Sequence, residues 1–258
     1  MTKPPCHPER SEGSLPATDD PWARFRAATR ARIGLGRSGD GLPTRALLDF
    51  QLAHARARDA VHGAVDFDRL TAEIGLPTIR VDSAAPNRDS YLRRPDLGRR
   101  LDAASRERLK PAPCDAIFII ADGLSTAVQR HAAPLLRACL PELADWRLGP
   151  IVLARQARVA LGDEIGSLTG AALTVMLIGE RPGLSVADSL GVYLTWDPRP
   201  GRTDAERNCL SNIHADGLSY DAAAARLLWL MREARLRRQS GIGLKEDAAL
   251  PPPGEPRP

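Results

Sequence analysis

Two stretches of the 258-residue chain carry the side chains that could do chemistry. The first is Gly179-Glu180-Arg181-Pro182-Gly183-Leu184-Ser185, directly after an apolar run. Its two glycines let backbone amides come close to a ligand. A carboxylate at Glu180, placed at a strand end, can accept hydrogen bonds from amide N–H groups. A plain turn with a Glu180–Arg181 surface charge cluster explains the same residues. The spacing is neither GxGxxG nor a Walker loop, so it does not specifically indicate a nucleotide phosphate. The second stretch, Arg207-Asn208-Cys209-Leu210-Ser211-Asn212-Ile213-His214, is dense in small polar groups. Cys209 would act as a nucleophile only with partial exposure and a histidine nearby. His214 lies further along the same run, and a lone semi-buried thiol is the competing reading.

Asn212-Ile213-His214-Ala215-Asp216-Gly217 also falls one residue short of the Asp-x-His-x-x-Gly pattern by which some cobalamin proteins ligate cobalt through histidine. There an aspartate fixes the histidine tautomer; here asparagine stands in its place. The other histidines read as structural. His131 falls on the apolar face of a helix, and His54 and His62 lie on or near a helical segment rich in Arg and Asp. Asp163 and Glu164 read as a solvated helix surface. Spacing alone supports neither a Ser-His-Asp set nor a carboxylate pair.

These stretches need a scaffold, and the apolar pattern from about residue 109 supplies one. Residues 115–121 (DAIFIIA), 150–154 (PIVLA), 172–178 (ALTVMLI) and 190–196 (LGVYLTW) are short runs rich in apolar and β-branched residues, which predicts buried strands. Helices are expected between them. One is capped by Ser125 and carries Val128, Ala132, Leu135, Leu136 and Cys139 on one face. A second runs over 158–168. A last one is capped by Ser219, shows Leu227, Leu228, Met231 and Ala234, and stops at Gly241. The pattern predicts an α/β fold with a mostly parallel sheet flanked by helices, flavodoxin- or Rossmann-like, over 109–245. Ligands of such sheets bind outside the carboxyl ends of the strands. That rule selects the loops 121–124, 155–159 and 179–185, with the segment through Cys209 to Gly217 as a fourth. Residues 21–108 read as a helical N-terminal region whose clearest helix spans 43–61. Its apolar residues lie on one side and need something to pack against. The tails 1–20 and 246–258 are polar and Pro-rich and are expected to be disordered.

Composition narrows the function further. Hydrophobic residues make up 43%, enough for one sizeable core. No apolar run approaches the roughly 20 residues of a membrane span. The N-terminus reads as neither a secretion signal nor a transit peptide, which points to the cytoplasm. The net charge of +4 is mild, and only 4% of residues are aromatic, so a nucleic-acid surface is not expected. Four cysteines without a CxxC pair argue against disulfides and a zinc site.

The loops that the sheet rule selects are also those in which the chain resembles the small, or light, chain of ethanolamine ammonia-lyase. The matching stretches are ARIGLGRSGDGLPTRALLDFQLAHARARDAVH, SYLRRPDLGRRLD, IFIIADGLSTAVQRHAAPLL, ARVALGDEIG, GERPGLSVADSLGVYLTW and RNCLSNIHADGLSY. They spread from about residue 31 to residue 220, so only the tails fall outside. The resemblance implies an adenosylcobalamin-dependent enzyme that converts ethanolamine to acetaldehyde and ammonia by a radical mechanism. It implies a large TIM-barrel subunit that holds the substrate, with this chain covering the corrin at the interface. It further implies a hexamer of such pairs, docked through the helical region 21–108. It places the corrin contacts of this chain on Val159, Glu180 and Cys209, with Arg158 as a further candidate. It also implies that cobalt keeps its own dimethylbenzimidazole ligand, which argues against His214. Whether the complex enters a bacterial microcompartment stays open. Two alternatives remain: a free-standing flavodoxin-like module for flavin or nucleotide, and a purely structural partner with degenerate cofactor loops.

Overall fold

The computed structural model describes residues 20–244. Apart from Asp20, the two tails expected to be disordered lie outside the described residues. The chain divides between Ala53 and His54 into two compact units.

In the first unit, helix α1 (Ala23–Ala28) is followed by the start of α2 (Thr44–His62). Pro43 directly precedes α2, as the sequence led one to expect. None of the described residues of this unit is buried. Trp22, Phe25, Leu42, Leu47, Leu48, Phe50 and Leu52 all stand exposed.

The second unit runs through α3 (Phe67–Ile74), β1 (Thr78–Asp82), α4 (Arg88–Arg93), α5 (Ala103–Arg108), β2 (Ile117–Ala121), α6 (Val128–Cys139), β3 (Ile151–Arg155) and α7 (Leu161–Thr169). It ends with β4 (Leu173–Gly179), β5 (Leu190–Trp196), β6 (Arg207–Ile213) and α8 (Tyr220–Arg237). The six strands form one sheet in the order β1-β3-β2-β4-β5-β6. The four anticipated strands are all present. Thr78–Asp82, inside the stretch read as helical, and Arg207–Ile213, read as a loop, are strands as well. Both are edge strands in which polar residues interrupt the apolar ones, so neither shows a continuous apolar run.

The expected mostly parallel, Rossmann-like sheet is instead mixed. β1, β3, β2 and β4 pair in parallel, whereas β4–β5 and β5–β6 pair antiparallel. Helices α6 and α7 supply the crossovers that parallel pairing needs. Only residues 180–189 separate β4 from β5, short of the dozen or so that a crossover takes, so the chain turns back.

Side chains alternate across the sheet and fill two cores. One face carries Phe118, Ile120, Leu153, Val175, Leu177, Val192 and Leu194 under α3, α6 and α8. The other carries Ile117, Ile119, Val152, Met176 and Ile178 under α7, through Leu161 and Ile165. Both faces are buried, which explains the apolar runs of β2 and β4.

Helix ends differ in detail from the sequence reading. Ser219 caps α8, accepting from the Ala222 N–H at 3.3 Å, as expected. Ser125 does not cap α6: the helix begins at Val128 after Ala127, and the buried Ser125 Oγ has no hydrogen-bond partner. α7 starts at Leu161 rather than Arg158. α8 ends at Arg237 with Arg238 left-handed (φ 52°), so Gly241 is not its stop. Among the described residues, no helix is long and apolar enough to cross a membrane.

Candidate functional site

The loops after β2, β3 and β4 all leave the same edge of the parallel part of the sheet, where the strand-end rule puts ligands. Val159 sits in the loop between β3 and α7 and is half-buried against the core under α7. That loop is held at several points. The Tyr91 hydroxyl donates to the Ala157 carbonyl at 2.9 Å, Asp122 Oδ1 accepts from the Ala157 N–H at 3.3 Å, and the Arg158 N–H donates to Gly98 O at 2.8 Å.

Glu180 leaves the end of β4. Its N–H donates to Ser189 O at 3.1 Å across the connection to β5. Its Oε2 accepts from the Ser189 hydroxyl at 2.6 Å and from the Asn212 N–H at 3.2 Å. The carboxylate thus receives an amide N–H, as its strand-end position led one to expect. Both bonds fall on Oε2, which leaves Oε1 able to accept from a ligand. A Cβ on Gly191 would lie 3.1 Å from Oε1, so the glycine gives the carboxylate its room.

Cys209 lies inside β6 rather than in a loop, directly opposite Tyr193 of β5. The thiol and the Tyr193 phenol interact, and both feel the charge of Glu180. Cys209 is exposed as a residue, yet its thiol is partly desolvated beside Tyr193. That desolvation raises the thiol pKa first. The Tyr193 phenol pulls it down, and the Glu180 charge pushes it up again. The Tyr193 phenol is likewise raised, by burial and then by Cys209. Cys209 is therefore held as a neutral thiol, a poor nucleophile.

Tyr193 joins two of the three expected residues, Glu180 and Cys209. It packs with Val159 against the same core, faces Cys209 across the ladder and lies in the field of Glu180. The sequence reading passed over it. The signal was present, because strand alternation in LGVYLTW puts Gly191 and Tyr193 on one face.

Arg158 is less available than its position suggested. Its guanidinium lies 4.4 Å from the centroid of the Tyr91 ring, and Arg88 lies 5.0 Å from the same centroid. The Arg158 Nε is buried and has no hydrogen-bond partner. His131 is a core residue, buried and bonded through Nδ1 to the Tyr220 hydroxyl at 2.7 Å. His214 is buried with both ring nitrogens engaged. Nε2 meets Asn212 Oδ1 at 2.9 Å, and Nδ1 accepts from the Asp216 N–H at 3.2 Å. It is therefore not available as a base for Cys209.

Asp163 and Glu164 overturn the solvated-surface reading. Glu164 accepts from the Leu101 N–H at 2.8 Å and pairs with Arg106. Asp163 is buried against Arg207, with paired bonds of 2.6 and 2.7 Å. Charged residues at the start of a helix look solvated in sequence. The partner of Asp163 sits on an edge strand distant in the chain, so no local pattern reveals it.

The site thus offers an apolar contact, a carboxylate oxygen and a neutral thiol beside a phenol. Among the described residues, no three His, Cys, Asp or Glu side chains cluster so as to hold a metal. Such residues belong to the class that can line a ligand through hydrogen bonds and apolar contact. Comparison with known proteins identifies the family. A sequence profile described as ethanolamine ammonia-lyase light chain (EutC) matches residues 19–245. The chain belongs to this family and so is a subunit of a lyase that acts as a complex. It is similar to the ethanolamine ammonia-lyase small subunit of Bradyrhizobium diazoefficiens, 54% identical over 239 residues, covering 89% of this chain and 92% of the relative. The small subunit from Pseudomonas putida strain W619 is 52% identical over 248 residues, covering 92% and 91%. That from Azotobacter vinelandii is 53% identical over 249 residues, covering 91% and 92%.

Proposed function

We propose that this chain lines one side of an adenosylcobalamin site at its interface with a large, TIM-barrel subunit. The complex would convert ethanolamine to acetaldehyde and ammonia and assemble as a hexamer of such pairs. The observation that supports the proposal is that Glu180, Tyr193 and Cys209 gather on one face of the sheet, with Val159 packed against the core on that same face. A corrin rim is a ring of amide side chains around an apolar macrocycle. The residues present suit it: Glu180 Oε1 can accept from an amide N–H, Val159 can meet the macrocycle, and the neutral Cys209 thiol adds no charge to desolvate.

When bound, adenosylcobalamin supplies the radical chemistry. This chain's own share is to orient and to exclude water. Glu180 is fixed by Ser189 and Asn212 before a ligand arrives, so little side-chain freedom is lost on binding. The exposed apolar residues of the first unit, Leu47, Leu48 and Phe50 among them, offer the surface that docks on the large subunit.

Mixing the chain with a cognate large subunit and adenosylcobalamin tests the proposal. Ethanolamine-dependent acetaldehyde is expected from the mixture and none from either chain alone. A mixture that assembles yet makes no acetaldehyde, with a chain that perturbs the spectrum of added flavin, would favour the flavin-module alternative.

A further inference from the structure

The near-signature Asn212–Gly217 takes no part in the proposed contacts, yet it is built around Glu180. Asn212 has φ +61°, left-handed backbone that non-glycine residues adopt at a cost and asparagine tolerates best. It sits where β6 slips against β5. Leu190 pairs with Ile213 but Val192 pairs with Leu210, so β6 carries an extra residue. Such bulges re-aim the backbone. Here the bulge turns the Asn212 N–H out of the ladder and onto Glu180 Oε2 at 3.2 Å.

His214 holds that conformation. Its Nδ1 accepts from the Asp216 N–H at 3.2 Å, so the ring proton of the neutral imidazole sits on Nε2. Nε2 then donates to Asn212 Oδ1 at 2.9 Å. The Asn212 carbonyl accepts from the Leu218 N–H at 2.8 Å and closes the loop. Gly217 is needed for the closure, because a Cβ there would lie 2.3 Å from Asn212 O and 2.6 Å from His214 Nε2.

We infer that Asn212 is a positioning residue for Glu180 and that His214 locks it in place, so that the histidine acts on cofactor binding through two intervening residues. This rests on the reading of Glu180 as a corrin contact. The test uses variants of this chain assembled with the large subunit, reading the KM for adenosylcobalamin and kcat with ethanolamine, with assembly checked by size. Asn212→Ala must pay for the left-handed backbone and should raise the cofactor KM roughly tenfold with kcat unchanged at saturation. Asn212→Gly adopts the same φ freely and keeps the N–H but loses the oxygen that His214 holds, and should fall between the parent and Asn212→Ala, about threefold above the parent. In a Glu180→Ala chain, Asn212→Ala should add nothing. A full Asn212→Ala effect in the Glu180→Ala background would overturn the inference and leave the Glu180 reading intact. So would an Asn212→Gly variant as impaired as Asn212→Ala, or an Asn212→Ala variant with unchanged KM. An unchanged KM in Glu180→Ala alone would remove the reading and the inference together.

Discussion

Asp163→Asn tests whether the buried Arg207–Asp163 pair clamps the site. Both side chains are only 2% exposed. Arg207 Nη1 and Nη2 reach Asp163 at 2.6 and 2.7 Å, Nη1 also reaches Thr195 Oγ1 at 3.0 Å, and Nη2 also reaches Arg202 O at 3.0 Å. The pair ties α7, whose leading loop carries Val159, to β6, where Cys209 is the next residue on the same face. Asparagine keeps the volume but leaves a buried guanidinium with only the exposed Asp204 carboxylate, 3.4 Å from its Nε, as counter-charge. Breaking one partner of a buried pair costs about 3–5 kcal/mol. For a domain of this size that is about 10 °C in Tm. The assay is denaturant unfolding of the parent, Asp163→Asn, Asp163→Leu, Arg207→Met, and the combination of Asp163→Leu with Arg207→Met. The combined variant removes both charges and should be more stable than the sum of single losses implies. A loss below about 1 kcal/mol for Asp163→Asn, or strict additivity in the combination, would refute the reasoning.

Glu206 gives a pH signature. The Thr203 N–H, then Arg202, then the Thr203 hydroxyl lower its carboxyl from 4.5 to about 2. A carboxyl lower in the folded state stabilises fully above its unfolded value and loses that contribution between pH 4.5 and about 2. Glu206→Gln should therefore match the parent's slope of stability against pH above that window and flatten it within, and an unchanged slope would count against the capping geometry. Alkylation of the folded chain with peptide mapping should modify Cys209, more slowly than a free thiol at the same pH, and spare Cys114 and Cys139, which are buried. Rapid labelling of Cys139, whose thiol burial raises to about 12, would contradict the core packing of α6. Leu48→Asp, on an exposed position, should leave stability within about 0.5 kcal/mol. It should weaken assembly with the large subunit in a pull-down, and full assembly would move the docking surface away from α2.

Sequence carried the buried half of the fold well. β2, β3, β4 and β5 are read correctly because burial on both faces demands unbroken apolar runs. β1 and β6 escaped because these edge strands mix polar with apolar residues and are only partly buried. The antiparallel return of β5 was legible in hindsight from the short 180–189 connection, but alternation of strands and helices upstream favoured a parallel reading. At the site, the strand-end position of Glu180 and its readiness to accept an amide N–H followed from the sequence, though which amide did not. Tyr193, Asn212 and the Asp163–Arg207 pair did not, since each depends on cross-strand register or on chain-distant contacts that spacing does not encode.

The most direct measurement is the structure of the assembled enzyme with adenosylcobalamin bound. The corrin rim should rest against Val159, Glu180 and Cys209 at once, with Glu180 Oε1 accepting from a corrin amide. A corrin seated instead against the α6 and α8 side of the sheet, or wholly within the large subunit, would contradict the account.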